Sequence, residues 1–119
     1  MDSAEYVQRV LDAYRATPGA CGVARQPDRA FALALFARGV PLDAVENALV
    51  LAAARRIARP PGAPSLGVIR SLAYFAPVIE EVLASAVGPE YYHHLRMRLS
   101  RWLAAQRSSG REPARLRRG

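Results

Sequence analysis

The chain has no lysine, a single cysteine and no long apolar run. All 17 of its basic residues are arginine, a bias that with 23 alanines reflects codon usage more than chemistry. The lone Cys21 excludes an internal disulfide and a cysteine-rich zinc site. The longest apolar candidate, 44–54, contains Glu46 and Asn47 and is shorter than the roughly 20 residues that cross a bilayer. Without a charged-then-apolar secretory start, we expect a cytoplasmic protein without membrane partners.

Positive charge is concentrated in the second part of the chain. The 119 residues carry a net charge of +7. Residues 1–54 have five arginines against six acidic residues, whereas residues 55–119 have twelve against four. Codon usage exchanges one basic residue for another but does not create an excess of base over acid. The excess indicates a polyanion or an acidic partner.

Helix-forming residues dominate the composition, and β-branched residues do not alternate with polar ones over a strand length. The sequence therefore predicts an all-α fold, a compact bundle of about five helices. Caps, prolines and glycines place these helices at 2–17, 27–38, 42–59, 76–87 and 89–107. Because Pro77 disfavours a continuous helix, we expect a short helical turn at 71–75 before the fourth helix. The apolar residues of 65–86, including Tyr74, are expected to supply the middle of the core. The residues of the third helix predicted to face inward are Val45, Leu49, Ala52, Ala53 and Ile57.

Two breaks suggest the domain organisation. The run 60–64, with three prolines in five residues, is a linker that cannot be helical. Residues 108–119 contain Leu116 as their only large apolar side chain, so we expect a disordered arginine-rich tail. The prediction is one helical domain over 1–107, followed by the tail at 108–119.

The segment 31–49 fits a helix-turn-helix pattern in part, with Gly39 at the turn. The exposed positions of its second helix, however, include Asp43 and Glu46, whose carboxylates would face phosphate. An ordinary pair of helices joined by a glycine turn is therefore the favoured interpretation.

Arginines of the second part are the candidate nucleic-acid-binding residues. Guanidinium groups bind phosphate through forked hydrogen bonds and stack on bases, and Tyr91, Tyr92 and Trp102 could add stacking surfaces. The alternative is a solvated basic face with the aromatic side chains in the core. The set comprises Arg55, Arg56, Arg59, Arg70, Arg96, Arg98, Arg101, Arg107, Arg111, Arg115, Arg117 and Arg118.

Enzymatic residues form no recognisable constellation. His93 and His94 are adjacent, so on a helix they point about 100° apart and do not chelate one metal together. Glu80 and Glu81 lie on different helix faces for the same reason. Cys21 sits in a glycine-flanked loop without a nearby histidine. We expect no enzyme, no catalytic residue, no metal and no cofactor.

The order of features from Gly39 to Leu83 resembles the helical region of DnaD-like replication-initiation and replisome-organiser proteins of mobile elements. Those proteins carry a helix of the form V-x-x-A-L-x-x-A, then a segment similar to I-x-S-x-x-Y-F. The matching residues are Val45, Ala48, Leu49, Ala52, Ile69, Ser71, Tyr74 and Phe75. The resemblance covers about 45 residues and implies binding to DNA and to other replication proteins, without catalysis.

Two functional classes follow. The first is a nonenzymatic nucleic-acid-binding accessory protein, with DNA favoured over RNA, whose arginines contact the phosphate backbone. The second is a helical protein-interaction module, or a small subunit of a larger assembly, whose basic face meets an acidic protein. The sequence leaves base preference, strand preference, protein partners and oligomeric state open.

Overall fold

A computed structural model describes the backbone of residues 1–118 and the side chains of residues 1–108. Within that range the chain forms five α-helices and one 3₁₀ helix, and its only β pairing is a bridge between two single residues. The predicted all-α class is thereby confirmed. The chain divides into two compact units, Met1–Val87 and Gly88–Gly119, here called the N-terminal and C-terminal units.

Helix α1 spans Ser3–Ala16 and begins where the sequence predicts. Asp2 caps it, because its Oδ1 accepts a hydrogen bond of 2.8 Å from the backbone N–H of Glu5. Apolar residues spaced by three and four form one buried stripe, which consists of Tyr6, Val7, Val10, Leu11 and Tyr14. Burial raises the pKa of Tyr14 to about 12, so this phenol stays neutral within the core.

Helix α2 spans Gln26–Ala37, and Pro27 lies in its first turn as predicted. Its buried carboxylate, Asp28, accepts two backbone hydrogen bonds of 2.8 Å each. One comes from the N–H of Arg25 and closes the start of the helix, and the other comes from the N–H of Leu72, far along the chain. Asp28 therefore joins the beginning of α2 to a distant turn.

Helix α3 spans Leu42–Ile57 and packs against α1 and against the fourth helix. Its buried residues are Ala44, Val45, Ala48, Leu49, Leu51, Ala52 and Ala53. The predicted inward positions are confirmed except for Ile57, which is half-buried near the end of the helix. The small alanine side chains allow neighbouring helices to approach α3, so it lies at the centre of the N-terminal unit.

Between α2 and α3, Gly39 has a φ of +77°, a conformation that favours glycine. Of the two acidic residues expected to be exposed on α3, Asp43 is exposed and Glu46 is half-buried. Whether this helix pair acts as a helix-turn-helix stays a prediction.

The chain around Pro77 forms the predicted turn and helix. A 3₁₀ helix spans Leu72–Phe75, and α4 follows directly at Ala76–Ala84 with the proline in its first turn. Phe75 is fully buried in the core with Leu72 and Ile79. The fourth helix ends at Ala84 rather than near Gly88, because Ser85 adopts an extended backbone.

Apolar residues of the 65–86 stretch do not all belong to the core, contrary to expectation. Leu66, Val68, Tyr74 and Leu83 are exposed. Residues Leu66 and Val68 precede the 3₁₀ helix in irregular backbone, and only Ile69 of that segment is buried. Ile69 pairs with the loop after α1, since its N–H donates to the carbonyl of Gly19 at 2.7 Å.

The C-terminal unit contains α5, which spans Pro89–Arg118. Glu90 lies in its first turn, where a carboxylate complements the positive end of the helix dipole. The predicted disordered tail at 108–119 falls almost wholly outside the described side chains, and a single domain over 1–107 stays a prediction. Along the described helices, no segment is both long and apolar enough to cross a membrane.

Candidate functional site: an arginine-lined cleft

A surface cleft of about 390 Å³ opens beside the C-terminal end of α3. Three arginines that are close in sequence line it, namely Arg55, Arg56 and Arg59. The remaining lining is apolar or aromatic and consists of Ala52, Leu66, Tyr74 and Val78. The volume is within the range of small-ligand sites, which are about 300–1,000 Å³. We call this feature the arginine cleft.

The position of these arginines follows from the helix. Arg55 and Arg56 lie in the last turn of α3, where cations are favoured by the negative end of the helix dipole. Arg59 lies two residues beyond the end of the helix at Ile57. Pro60 and Pro61 follow immediately and prevent the helix from continuing.

Arg56 is held by contacts on several sides. Its Nη2 donates a hydrogen bond of 2.8 Å to the carbonyl of Gly67, and its Nη1 donates one of 3.2 Å to the hydroxyl of Tyr74. The guanidinium carbon lies 5.9 Å from the centre of the Tyr74 ring. A Cβ added at Gly19 would lie 3.0 Å from Nε of the same arginine. These contacts hold the guanidinium in one orientation.

Arg59 ties the proline-rich segment to the cleft. Its Nη2 donates a hydrogen bond of 2.7 Å to the carbonyl of Pro64. The acceptors of Arg56 and Arg59 are thus neutral oxygens, and neither arginine forms an ion pair within the described side chains, 1–108. Across those side chains, no carboxylate offsets the charge of either guanidinium group.

Arg55 has a charged partner instead. Both of its terminal nitrogens donate to Glu81 on α4, with Nη1 lying 2.9 Å from Oε1. These hydrogen bonds lower the pKa of Glu81 below its ordinary value. The neighbouring Glu80 binds Arg38 in the same forked manner, at 2.8 and 3.2 Å.

Tyr74 is the cleft residue that sequence reasoning missed. It was expected in the core, but 48% of its surface is exposed. The edge-on contact of its ring with that of Phe75, at 5.2 Å between centroids, anchors it to the buried turn. A 3₁₀ helix repeats every three residues, so burial of Leu72 and Phe75 directs the two residues between them, Ala73 and Tyr74, outward. The sequence feature that could have indicated an exposed Tyr74 is the short helical turn before Pro77.

The other predicted arginines are distributed differently. Arg70 is exposed and lies outside the cleft. Arg96, Arg98, Arg101 and Arg107 lie on α5 in the C-terminal unit. The side chains of Arg111, Arg115, Arg117 and Arg118 are outside the described residues. Of the predicted residues in the N-terminal unit, the structure brings together Arg55, Arg56 and Arg59.

Cys21 lies half-buried beside the end of α1. Its Sγ is 3.9 Å from the hydroxyl of Tyr14 and 3.8 Å from Nη1 of Arg25. Across the side chains of residues 1–108, no group of three or more histidine, cysteine, aspartate or glutamate residues is placed to hold a metal ion.

Comparison with known proteins identifies no relative. No family model, no curated protein and no solved structure matches the chain.

Proposed function

We propose that the protein is a nonenzymatic nucleic-acid-binding accessory protein of a replication-type complex, with DNA its preferred ligand. In this proposal the arginine cleft holds the phosphate backbone, and the arginines of α5 add further phosphate contacts.

The observation that carries the proposal is the combination of charge and apolar surface in the arginine cleft. Arg56 and Arg59 are oriented by neutral acceptors, so their charges are available to an anion. Beside them Tyr74 exposes about half of its surface. A nucleic acid supplies both phosphates for the guanidinium groups and flat bases for the ring.

The C-terminal unit supports the same ligand by its composition. It has eight arginines against two acidic residues in 32 positions. Such an excess repels itself in the absence of a polyanion. Each arginine that neutralises a phosphate also releases a counterion, which favours binding regardless of base sequence.

The resemblance of residues 39–83 to DnaD-like proteins supports a role in replication rather than in another DNA process. Most of its matched positions are buried, including Val45, Leu49 and Phe75. Ala52 and Tyr74 are the matched positions that line the cleft.

Fluorescence anisotropy with labelled single- and double-stranded oligonucleotides at two salt concentrations tests the proposal. Arg59→Gln removes one cleft charge. Arg29→Gln removes the same charge from an exposed position on α2 and is the matched control. We expect the cleft variant to weaken binding and to reduce the slope of log K against log salt by about 0.7–0.9, the contribution of one phosphate contact.

The control should leave the slope nearly unchanged. Equal losses in both variants would show that general charge, not the cleft, determines binding. Absence of binding to either oligonucleotide at low salt would overturn the proposal and favour the helical protein-interaction module with an acidic protein partner.

A further inference from the structure

Two adjacent glutamates on α4 make the same kind of contact to different arginines. Glu80 accepts two hydrogen bonds from Arg38, at the end of α2, and Glu81 accepts two from Arg55, at the end of α3. Only the second pair includes a residue that lines the arginine cleft. The chain therefore contains one carboxylate within reach of the proposed phosphate site and one equivalent carboxylate outside it.

The hydrogen bonds from Arg55 to Glu81 are of the same kind as those that an arginine donates to a phosphate group. Arginine presents parallel N–H groups that match two oxygens of either a carboxylate or a phosphate. In the free protein the carboxylate occupies that fork of Arg55. A phosphate arriving at the cleft finds Arg56 and Arg59 without a competing anion and Arg55 already engaged.

We propose that Glu81 is an affinity-determining residue that competes with nucleic-acid phosphate for Arg55. The inference rests on the proposed function and concerns the same site. A phosphate that belongs to a strand already held by Arg56 and Arg59 is present at high local concentration, so it replaces the carboxylate where an isolated anion does not. Glu81 thereby favours a polyanion over a free monoanion.

Exposure of the pair permits this exchange. The side chains of Arg55 and Glu81 are 52% and 48% exposed. Exposed ion pairs contribute little to stability, because water competes with both partners. The ion pair forms in the free protein but opens at little cost in free energy. Replacing the glutamate by a neutral residue should therefore leave the fold intact.

The test compares Glu81→Gln with Glu80→Gln in the full chain, by anisotropy with one labelled single-stranded oligonucleotide. Each variant removes one negative charge from α4, but only the first releases a cleft arginine. We expect Glu81→Gln to tighten binding by about fivefold at low salt, the effect of one unit charge at contact distance in water. Its salt slope should stay nearly unchanged, because a strand phosphate contacts Arg55 in both proteins. Glu80→Gln should change affinity by less than about twofold, since its charge acts only through screened solvent.

A second pair of variants shows whether the effect passes through Arg55. In an Arg55→Gln background, Glu81→Gln should gain no more affinity than Glu80→Gln does in the wild type. Competition with inorganic phosphate tests the response to a free anion. It should displace the oligonucleotide from Glu81→Gln at a lower concentration than from the wild type, when each concentration is compared with the Kd of that protein for the oligonucleotide.

Equal effects of Glu81→Gln and Glu80→Gln would overturn the inference while leaving the proposed function standing. An unchanged gain in the Arg55→Gln background would also overturn it. Failure of the wild-type protein to bind the oligonucleotide would reject the proposed function first, and the inference with it.

Discussion

The two units of the chain differ in their balance of basic and acidic residues. The N-terminal unit has nine arginines against eight acidic residues, and the C-terminal unit has eight against two. Four arginines of the first unit form ion pairs, which are Arg9 with Glu5, Arg15 with Asp12, Arg38 with Glu80 and Arg55 with Glu81. The net charge of +7 therefore belongs almost entirely to the last 32 residues.

The difference teaches that charge excess and charge orientation are separate properties. In the N-terminal unit a nearly neutral, packed scaffold holds Arg56 in one orientation through Gly67 and Tyr74. The C-terminal unit supplies many charges, whose attraction for phosphate needs no fixed geometry. In the proposed function, the second unit provides most of the salt-dependent affinity and the arginine cleft provides a defined binding position.

The largest expected effect comes from shortening the C-terminal unit. A chain ending at Arg107 loses four arginines and one glutamate. Up to four phosphate contacts would be lost, so the slope of log K against log salt should fall by up to about 3 and affinity at low salt by about tenfold or more. Anisotropy at several salt concentrations measures both.

A full-length chain with those four arginines changed to glutamine separates charge from length and should behave like the shortened one. An unchanged slope after truncation would contradict the assignment of most affinity to this unit.

An intermediate effect is expected at Gly19, which has a φ of +91°. Gly19→Ala should destabilise the protein by about 1 kcal/mol because alanine is strained in this conformation, and its Cβ would lie 3.0 Å from Nε of Arg56. The flexible arginine yields to the methyl group and loses its orientation. Oligonucleotide affinity should fall several-fold, measured beside thermal unfolding.

Gly22→Ala is the matched control, since its φ is +81° and a Cβ there meets nothing within 4 Å. It should cost similar stability and leave oligonucleotide affinity unchanged. If both variants reduced affinity alike, the orientation of Arg56 would not matter for binding.

The smallest effect concerns the ion pair of Glu80 with Arg38. The hydrogen bonds from Arg38 lower the pKa of Glu80, so the folded state favours the deprotonated carboxylate. The pair therefore stabilises the fold at neutral pH, and that contribution is lost as pH falls through the lowered pKa. The melting temperature of the wild type should exceed that of Glu80→Gln slightly near neutral pH, and the two should converge in acid. A difference that persists in acid, where the carboxylate is protonated, would contradict this origin.

Local signals were sufficient for most of the fold. Asp2 and Pro27 mark the first two helix starts because capping and proline geometry depend on adjacent residues. Pro77 divides its segment into a turn and a helix for the same reason. The end of α4 was predicted too late, since the extended backbone at Ser85 has no comparable residue signal.

The arginine cleft was only partly predictable. Charge counting identified Arg55, Arg56 and Arg59, which are close in sequence. Tyr74 was expected in the core but is exposed. The apolar content of a segment does not show which side of a 3₁₀ turn is buried. The approach of Gly19 to Arg56 depends on tertiary packing and left no local pattern.

The hydrogen bond from the N–H of Leu72 to Asp28 joins positions 44 residues apart. It fixes the start of the turn that carries Tyr74, so the aromatic wall of the cleft exists only after distant parts of the chain have met. Closing such a long loop costs conformational entropy, so this contact is expected to form after the local helices. The α5 arginines, by contrast, carry their charge in any conformation. If the proposed function holds, a newly synthesised chain attracts phosphate before it has a cleft, and ordered binding begins only when folding is complete.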